Sequence, residues 1–188
     1  MQARLPATVA NLVKPTRYIP VLETAKLIRR ALKEAFPEIR FSVRTSQYAG
    51  GSSINISWAE GPKHDTVKDI AEAFQGGDFD GMTDCKKTRS HTINGEPVKF
   101  GGDFVFCTRE IPKEKISAAA DIFARMDVAK WAGFMIRFGV DATTADGIIN
   151  HNTTARECAR AFLHEIEERK FSFRRSALAD SITNLSTD

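Results

Sequence analysis

Three stretches hold the residue types that could do chemistry. The first is a glycine turn, Tyr48-Ala49-Gly50-Gly51-Ser52-Ser53. Glycines let backbone N–H groups approach an anion closely, and Ser52 and Ser53 add hydroxyl donors. With Arg44 nearby, this reads as a phosphate nest. The competing reading is conformational: Gly50 and Gly51 supply positive φ for a turn beside which Tyr48 packs. No Gly-x-x-x-x-Gly-Lys-Ser/Thr follows, and the loop joins two strand patterns instead of opening a helix, so this is not a P-loop. The second stretch, "DFDGMTD", sets Asp78, Asp80 and Asp84 close together like an oxygen-rich cation site. An EF-hand loop needs a bidentate Glu at its twelfth position, where this chain has Arg89. Asx-turns with Phe79 and Met82 packed inward account for the pattern more simply. The third is the basic run "KKTRSH", Lys86 to His91. With Arg40, Arg44 and Lys99 it could form a cationic patch for phosphates, and Tyr48 could stack against a base. A solvated charged face is the plainer alternative.

Nucleophilic catalysis finds less support. The three cysteines, Cys85, Cys107 and Cys158, are widely spaced and include no C-x-x-C. Their number is odd, so the reading is reduced thiols in a cytoplasmic protein, not a disulfide framework or a zinc ribbon. Cys85 with His91, or Cys107 with a distant histidine, lacks a third group to orient a base. Cys107 alternates with Phe104 and Phe106, which puts its thiol on the opposite strand face, at the surface or at a second interface. Cys158 lies in an apolar helical stripe. His151 and His164 are too far apart for helical metal-ligand spacing. These residues assign no catalytic group, no metal and no cofactor.

The elements that must position these groups follow from periodicity. At 42% hydrophobic and 27% charged, the chain can build a core without metals or disulfides. The net charge of +3 permits an anionic partner without requiring one. No apolar run reaches the roughly 18 residues that span a bilayer. The N-terminal residues, broken by Pro6 and Pro15, do not read as a signal peptide. Residues 1–20 read as an extended arm. Leu22, Ala25, Ile28, Leu32 and Ala35 recur at helical spacing up to Pro37.

Phe41, Val43 and Thr45 alternate with Arg40, Ser42, Arg44 and Ser46, a half-buried strand with a cationic outer face. Ile54, Ile56 and Trp58 alternate with Asn55 and Ser57, so the glycine turn joins an antiparallel hairpin. Val67, Ile70, Ala71 and Phe74 make a second helix, closed by Gly76-Gly77. Asn94-Gly95 marks a second hairpin, with Pro97 keeping the following strand short or at an edge. "DFVFCTREI" is a further strand.

Beyond Pro112 the pattern is helical. One stripe is Ile116, Ala119, Ala120, Phe123 and Met126; another is Val128, Trp131, Phe134, Met135 and Phe138. The second suits a core or a dimer interface. Thr154 and Glu157 form a capping-box pattern ahead of a helix carrying Cys158, Phe162 and Ile166. That helix ends in "ERKFSFRR", residues 168–175, whose cations suit a helix C-terminus or an acidic partner. The polar tail reads as frayed.

The expected fold is α+β. Residues 21–111 form an α-β-β-α-β-β-β core domain, a two-layer sandwich of an antiparallel sheet with two helices, and residues 112–188 form a C-terminal helical extension. The other sheet face would show Arg40, Ser42, Arg44, Asn55 and Ser57 to solvent or to the C-terminal helices.

"RTSQYAGGSSINISWAEGP", a Val-x-x-Ile-x-x-x-Phe helix, "FDGMTD" and "VKFGGDFVFCTRE" stand in an order and spacing that resembles a large-polyvalent-protein-associated domain, over about residues 22–111. The resemblance implies a setting in phages and conjugative elements and help for invading DNA against host defences. It implies no catalytic residues. With it, the residues point to a non-catalytic binding protein of a phage or plasmid. It would counteract a host defence system by binding a protein complex or nucleic acid in the host cytoplasm. Arg40, Arg44, Tyr48, Lys86, Lys87 and Arg89 are the expected contacts. The alternative is a metal-dependent enzyme acting on a nucleotide or polynucleotide, with phosphate on the glycine turn and Mg²⁺ on Asp80 or Asp84. A third reading is a scaffold that forms a homodimer through its C-terminal helices.

Overall fold

The computed structural model describes residues 15–82, 84–166 and 173–185. The α+β class holds. Strand β1 (Arg17–Ile19) leads into helix α1 (Val21–Ala35). The hairpin strands β2 (Ser42–Tyr48) and β3 (Gly51–Trp58) follow, then helix α2 (His64–Glu72). A ribbon, β4 (Gly77–Asp80) and β5 (Cys85–Thr88), precedes β6 (Ser90–Ile93), β7 (Glu96–Phe100) and β8 (Phe104–Arg109). The helices α3 (Lys113–Ala124), α4 (Trp131–Arg137), α5 (Ala142–Ile148) and α6 (Ala155–Glu165) come next. A short α7 (Ala177–Asp180) and strand β9 (Ile182–Leu185) close the described chain.

The expected single antiparallel sheet is replaced by three. One has the order β1-β7-β6-β9, one β2-β3-β8, and β4-β5 stands as a two-stranded ribbon. Two pairings are parallel, β1 with β7 and β3 with β8. Parallel neighbours need crossover connections: α1, the β2–β3 hairpin, α2 and the β4–β6 segment lie between β1 and β7, and α2 with the β4–β7 segment lies between β3 and β8. Sequence alternation marks a strand but carries no trace of such distant pairing. Residues 17–19, within the expected arm, are a sheet strand. The tail, expected frayed, supplies β9, which pairs antiparallel with β6 from Ile93↔Ile182 to Ser90↔Leu185. Pro97 sits in β7, which lies inside its sheet instead of at an edge. Its missing N–H is tolerated because β1 pairs only with Val98, Lys99 and Phe100.

The local signals hold. The Asn94-Gly95 turn has both residues at positive φ, 51° and 78°, as a two-residue hairpin whose twist matches its strands requires. Thr154 and Glu157 form a full capping box on α6. Among the described residues, no helix is long and apolar enough to cross a membrane. The "ERKFSFRR" segment falls largely on residues 167–172, outside the described residues.

Two cores result. Ala25, Ile28, Leu32 and Ala35 of α1 are buried against Val43, Ile54, Ile56, Val67, Phe74, Val98 and Phe100. Leu22, placed on that stripe by spacing, is exposed, and Val21 is buried instead. The second core gathers Phe123, Trp131, Met135, Cys158 and Phe162 from α3, α4 and α6. Phe123 meets Trp131 and Phe162 edge-on, and the Trp131 indole N–H donates to Phe123 O at 2.9 Å. Val128 and Phe138, the ends of the expected stripe, are about half exposed.

Candidate functional site

The β2-β3-β8 sheet turns one face to α1 and α2 and leaves the other open. Val43, Ile54, Ile56, Trp58 and Val105 fill the inner face. Register sets the outer face in rows across the three strands: Ser46-Ser53-Phe104, Arg44-Asn55-Phe106 and Ser42-Ser57-Thr108. Arg44, Asn55, Phe106 and Thr108 are exposed, so solvent reaches the second and third rows, whereas in the first Ser53 is 6% exposed and Phe104 is partly buried. None of the three strands contains an Asp or Glu.

Strand β8 inverts the expectation for Cys107. Val105, Cys107 and Arg109 turn inward, while Phe104 and Phe106 turn out, their rings 6.4 Å apart and 26° from parallel. Alternation separates the two faces without saying which one meets the core, and the helices here cover the cysteine side. Phe106 is 54% exposed. These two rings are the residues that sequence reasoning missed, and the Phe-Val-Phe triplet is the signal that carried them.

The six expected contact residues divide into two groups. Arg40 and Arg44 lie exposed on and just before β2. Tyr48 ends β2 opposite Gly51, half exposed, its ring lying where a Gly51 side chain would go. Lys86, Lys87 and Arg89 belong to the β4–β5 ribbon and its exit, and each meets an aspartate. Lys86 reaches Asp103 at 2.6 Å, Lys87 reaches Asp80 at 2.9 Å and Arg89 reaches Asp78 at 3.0 Å. Hydrogen bonding from Arg89 holds the Asp78 carboxyl below its usual range, and the bond to Asp80 raises the Lys87 ammonium. The ribbon is therefore locally neutralised.

The glycine turn is occupied from within. Asp103 Oδ2 accepts the Ser52 backbone N–H at 2.9 Å as well as the Lys86 ammonium, and the Ser52 hydroxyl donates to Gly101 O. A carboxylate of the chain itself stands where a phosphate would bind. Gly50, at φ 87°, turns the chain, whereas Gly51, expected to share that positive φ, does not and instead begins β3 opposite Tyr48. A cleft of about 440 Å³ beside it is lined by Tyr18, Tyr48, Lys86, Lys99 and Asp103.

The aspartates of "DFDGMTD" serve turns and ion pairs. Asp80 accepts the Met82 N–H at 3.0 Å in an Asx-turn. The expected inward packing of Phe79 and Met82 does not occur: they are 56% and 98% exposed, because the two-stranded ribbon has no third layer to cover them. Among the described residues, no group of three His, Cys, Asp or Glu side chains could hold a metal ion.

A second cluster, unanticipated, sits where the two cores meet. A cleft of about 310 Å³ is lined by His64, Asp65, Cys107, Arg109 and His164. His64 lies 3.0 Å from Asp65 Oδ1 and 3.2 Å from Cys107 O, so both its ring nitrogens are engaged. Burial pushes the Cys107 thiol up to about 12, which keeps it protonated and non-nucleophilic at neutral pH. Arg109, 5% exposed, donates to Leu163 O, His164 O and Ile166 O at the end of α6 and to Gly61 O. This cluster latches the bundle to the sheet. Of the other suggested pair, Cys85 is exposed and His91 is buried.

Residues 19–116, just over half of the chain, match the family model described as large polyvalent protein associated domain 29. No curated protein and no solved structure matches the chain.

Proposed function

Because this chain belongs to the family of large polyvalent protein associated domain 29, which ties it to the polyvalent proteins of phages and other mobile elements, we propose that it is a non-catalytic binding protein acting by occupancy. Its target would be a host defence system in the host cytoplasm, engaged through a protein complex or nucleic acid. One observation carries this reading: the open β2-β3-β8 face presents Arg44 and exposed polar groups, with no carboxylate on any of its strands. A one-signed surface attracts anionic partners from a distance. Arg40 and Arg44 would supply the attraction, with Tyr48 at the hairpin end. Lys86, Lys87 and Arg89 would contribute shape more than charge, since Asp103, Asp80 and Asp78 offset them.

The test is the double variant Arg40→Glu, Arg44→Glu. Both residues are exposed, so circular dichroism should be unchanged while establishment of an incoming plasmid in a defence-proficient host falls to the level seen without the protein. Establishment unaffected by the double variant would overturn the reading. Self-association would use exposed apolar groups of the bundle such as Val128, Ile136 and Phe138. Sedimentation at several concentrations tests that, and a strict monomer excludes it.

A further inference from the structure

The open face carries two phenyl rings: Phe106, whose exposure packing does not explain, and Phe104 beside it, which is partly buried. In Phe104-Val105-Phe106 the valine is in the core, 8% exposed, while Phe106 is 54% exposed on the opposite side. Threonine or serine there would keep the strand and avoid presenting apolar area to water. The two rings stack on each other, and their cross-strand neighbours are polar. Phe106 shares its cross-strand row with Asn55 and Arg44, and Phe104 shares its row with Ser53 and Ser46. Adjacent strands lie about 4.8 Å apart, so Arg44 and Phe106 are separated by roughly 10 Å at the backbone. A long guanidinium arm can close part of that gap.

Aromatic rings, the Arg44 guanidinium and neutral hydrogen-bonding groups on one sheet face match one class of ligand. An unpaired base offers a π-face to a phenyl ring, its edge offers donors and acceptors to an amide, and its phosphate is met by a guanidinium. A duplex hides its base faces, and this surface projects no helix or ribbon into a groove. A protein interface core would need a continuous apolar patch, which two rings among hydroxyls and an amide do not make. We infer that the β2-β3-β8 face binds single-stranded nucleic acid, with bases stacked on Phe106 and Phe104 and phosphate held by Arg44.

This rests on the proposal that the face is the contact surface, so the experiment separates the two. Fluorescence anisotropy of the full chain would use labelled oligothymidylate and oligouridylate about 15 nucleotides long, and a DNA duplex of the same length. The expected result is binding to one or both single strands in preference to the duplex. Phe106→Ala should weaken it about 5- to 150-fold, as loss of one base-stacking ring does. Arg44→Gln should make the salt dependence shallower by about 0.7 in log–log slope, one phosphate's share for a single strand. Thermal unfolding should show both variants folded. Equal binding to duplex, no binding to either oligonucleotide, or affinity indifferent to Phe106→Ala would overturn the inference. If neither oligonucleotide binds but plasmid establishment still fails in the Arg40→Glu, Arg44→Glu variant, the face engages a protein and only this inference falls. If establishment is also indifferent, both fall.

Discussion

Replacing Arg109 with methionine should loosen the helical bundle from the sheet. The guanidinium stands at the end of β8, 5% exposed, and its Nη1 donates to Leu163 O at 2.9 Å, His164 O at 3.1 Å and Ile166 O at 2.9 Å. Its Nη2 donates to Gly61 O at 2.9 Å on the sheet side. The three bundle carbonyls lie at the C-terminus of α6, where the helix dipole adds attraction for a cation, worth up to about 2 kcal/mol when partly buried. Each hydrogen bond from a charged donor contributes about 1.5–3 kcal/mol. Four such bonds do not add, because Arg109 also loses hydration on burial and the freed carbonyls regain water as the junction opens. A net loss of about 3 kcal/mol is expected. Methionine keeps an unbranched stem of similar length, so the loss reports donors and not packing. For a chain of this size each kcal/mol moves Tm by about 2–4 °C, which gives a fall of about 6–12 °C. Since the side chain bridges the two cores, the thermal transition should broaden or split, and amide exchange in α6 should rise before exchange in β3 does. Arg109→Lys should recover only part, because an ammonium cannot span carbonyls on both sides of the junction. A Tm within about 1 °C of the wild type, with one sharp transition and unchanged exchange in α6, would refute the latch.

Acid should weaken the fold in a defined window. Burial, with the Arg89 charge acting the same way, depresses His91 below its ordinary value of 6.5, while its Nε2 stays 2.8 Å from Gln75 O. The unfolded chain takes up a proton near pH 6.5 and the folded chain resists it. Stability should therefore be complete above that pH and fall below it, by at most about 1.4 kcal/mol per pH unit from this residue. The urea midpoint measured from pH 7.5 down to 5.5 checks this, and a flat midpoint there, or one equally steep in His91→Phe, would remove His91 from the account. Thiol labelling gives a third prediction. Cys85 is exposed and should react in the native protein, whereas burial pushes Cys107 up to about 12 and Cys158 up to about 11. Mass spectrometry should find Cys85 alone modified before unfolding and all three cysteines after it; native labelling of Cys107 would contradict the packing of β8.

Short-range features were legible because their causes are short-range. Ala25, Ile28, Leu32 and Ala35 share a helix face by spacing alone, and they are buried. The glycine turn makes a hairpin whose register runs from Tyr48↔Gly51 to Ser42↔Ser57. Asn94-Gly95 and the Thr154–Glu157 box act within a few residues, through positive φ and a reciprocal cap. The cationic outer face of β2 could also be read, since alternation separates Arg44 from Val43.

Other features depend on groups far apart in the chain. The parallel pairing of β3 with β8, and of β1 with β7, is made by backbone hydrogen bonds that every residue type can offer, so it leaves no mark on the side chains. The same holds for β9, which returns to β6 from some ninety residues away. Asp103 and Lys86 were both visible as charges, but only the fold brings them together and fills the glycine turn with a carboxylate. Phe104 and Phe106 show the division most plainly. Their alternation with Val105 and Cys107 determined that the two rings share one face of a strand. Whether that face met the core or the solvent was decided by where α1 and α2 packed, because an isolated strand has two equivalent sides and only a covering layer distinguishes them.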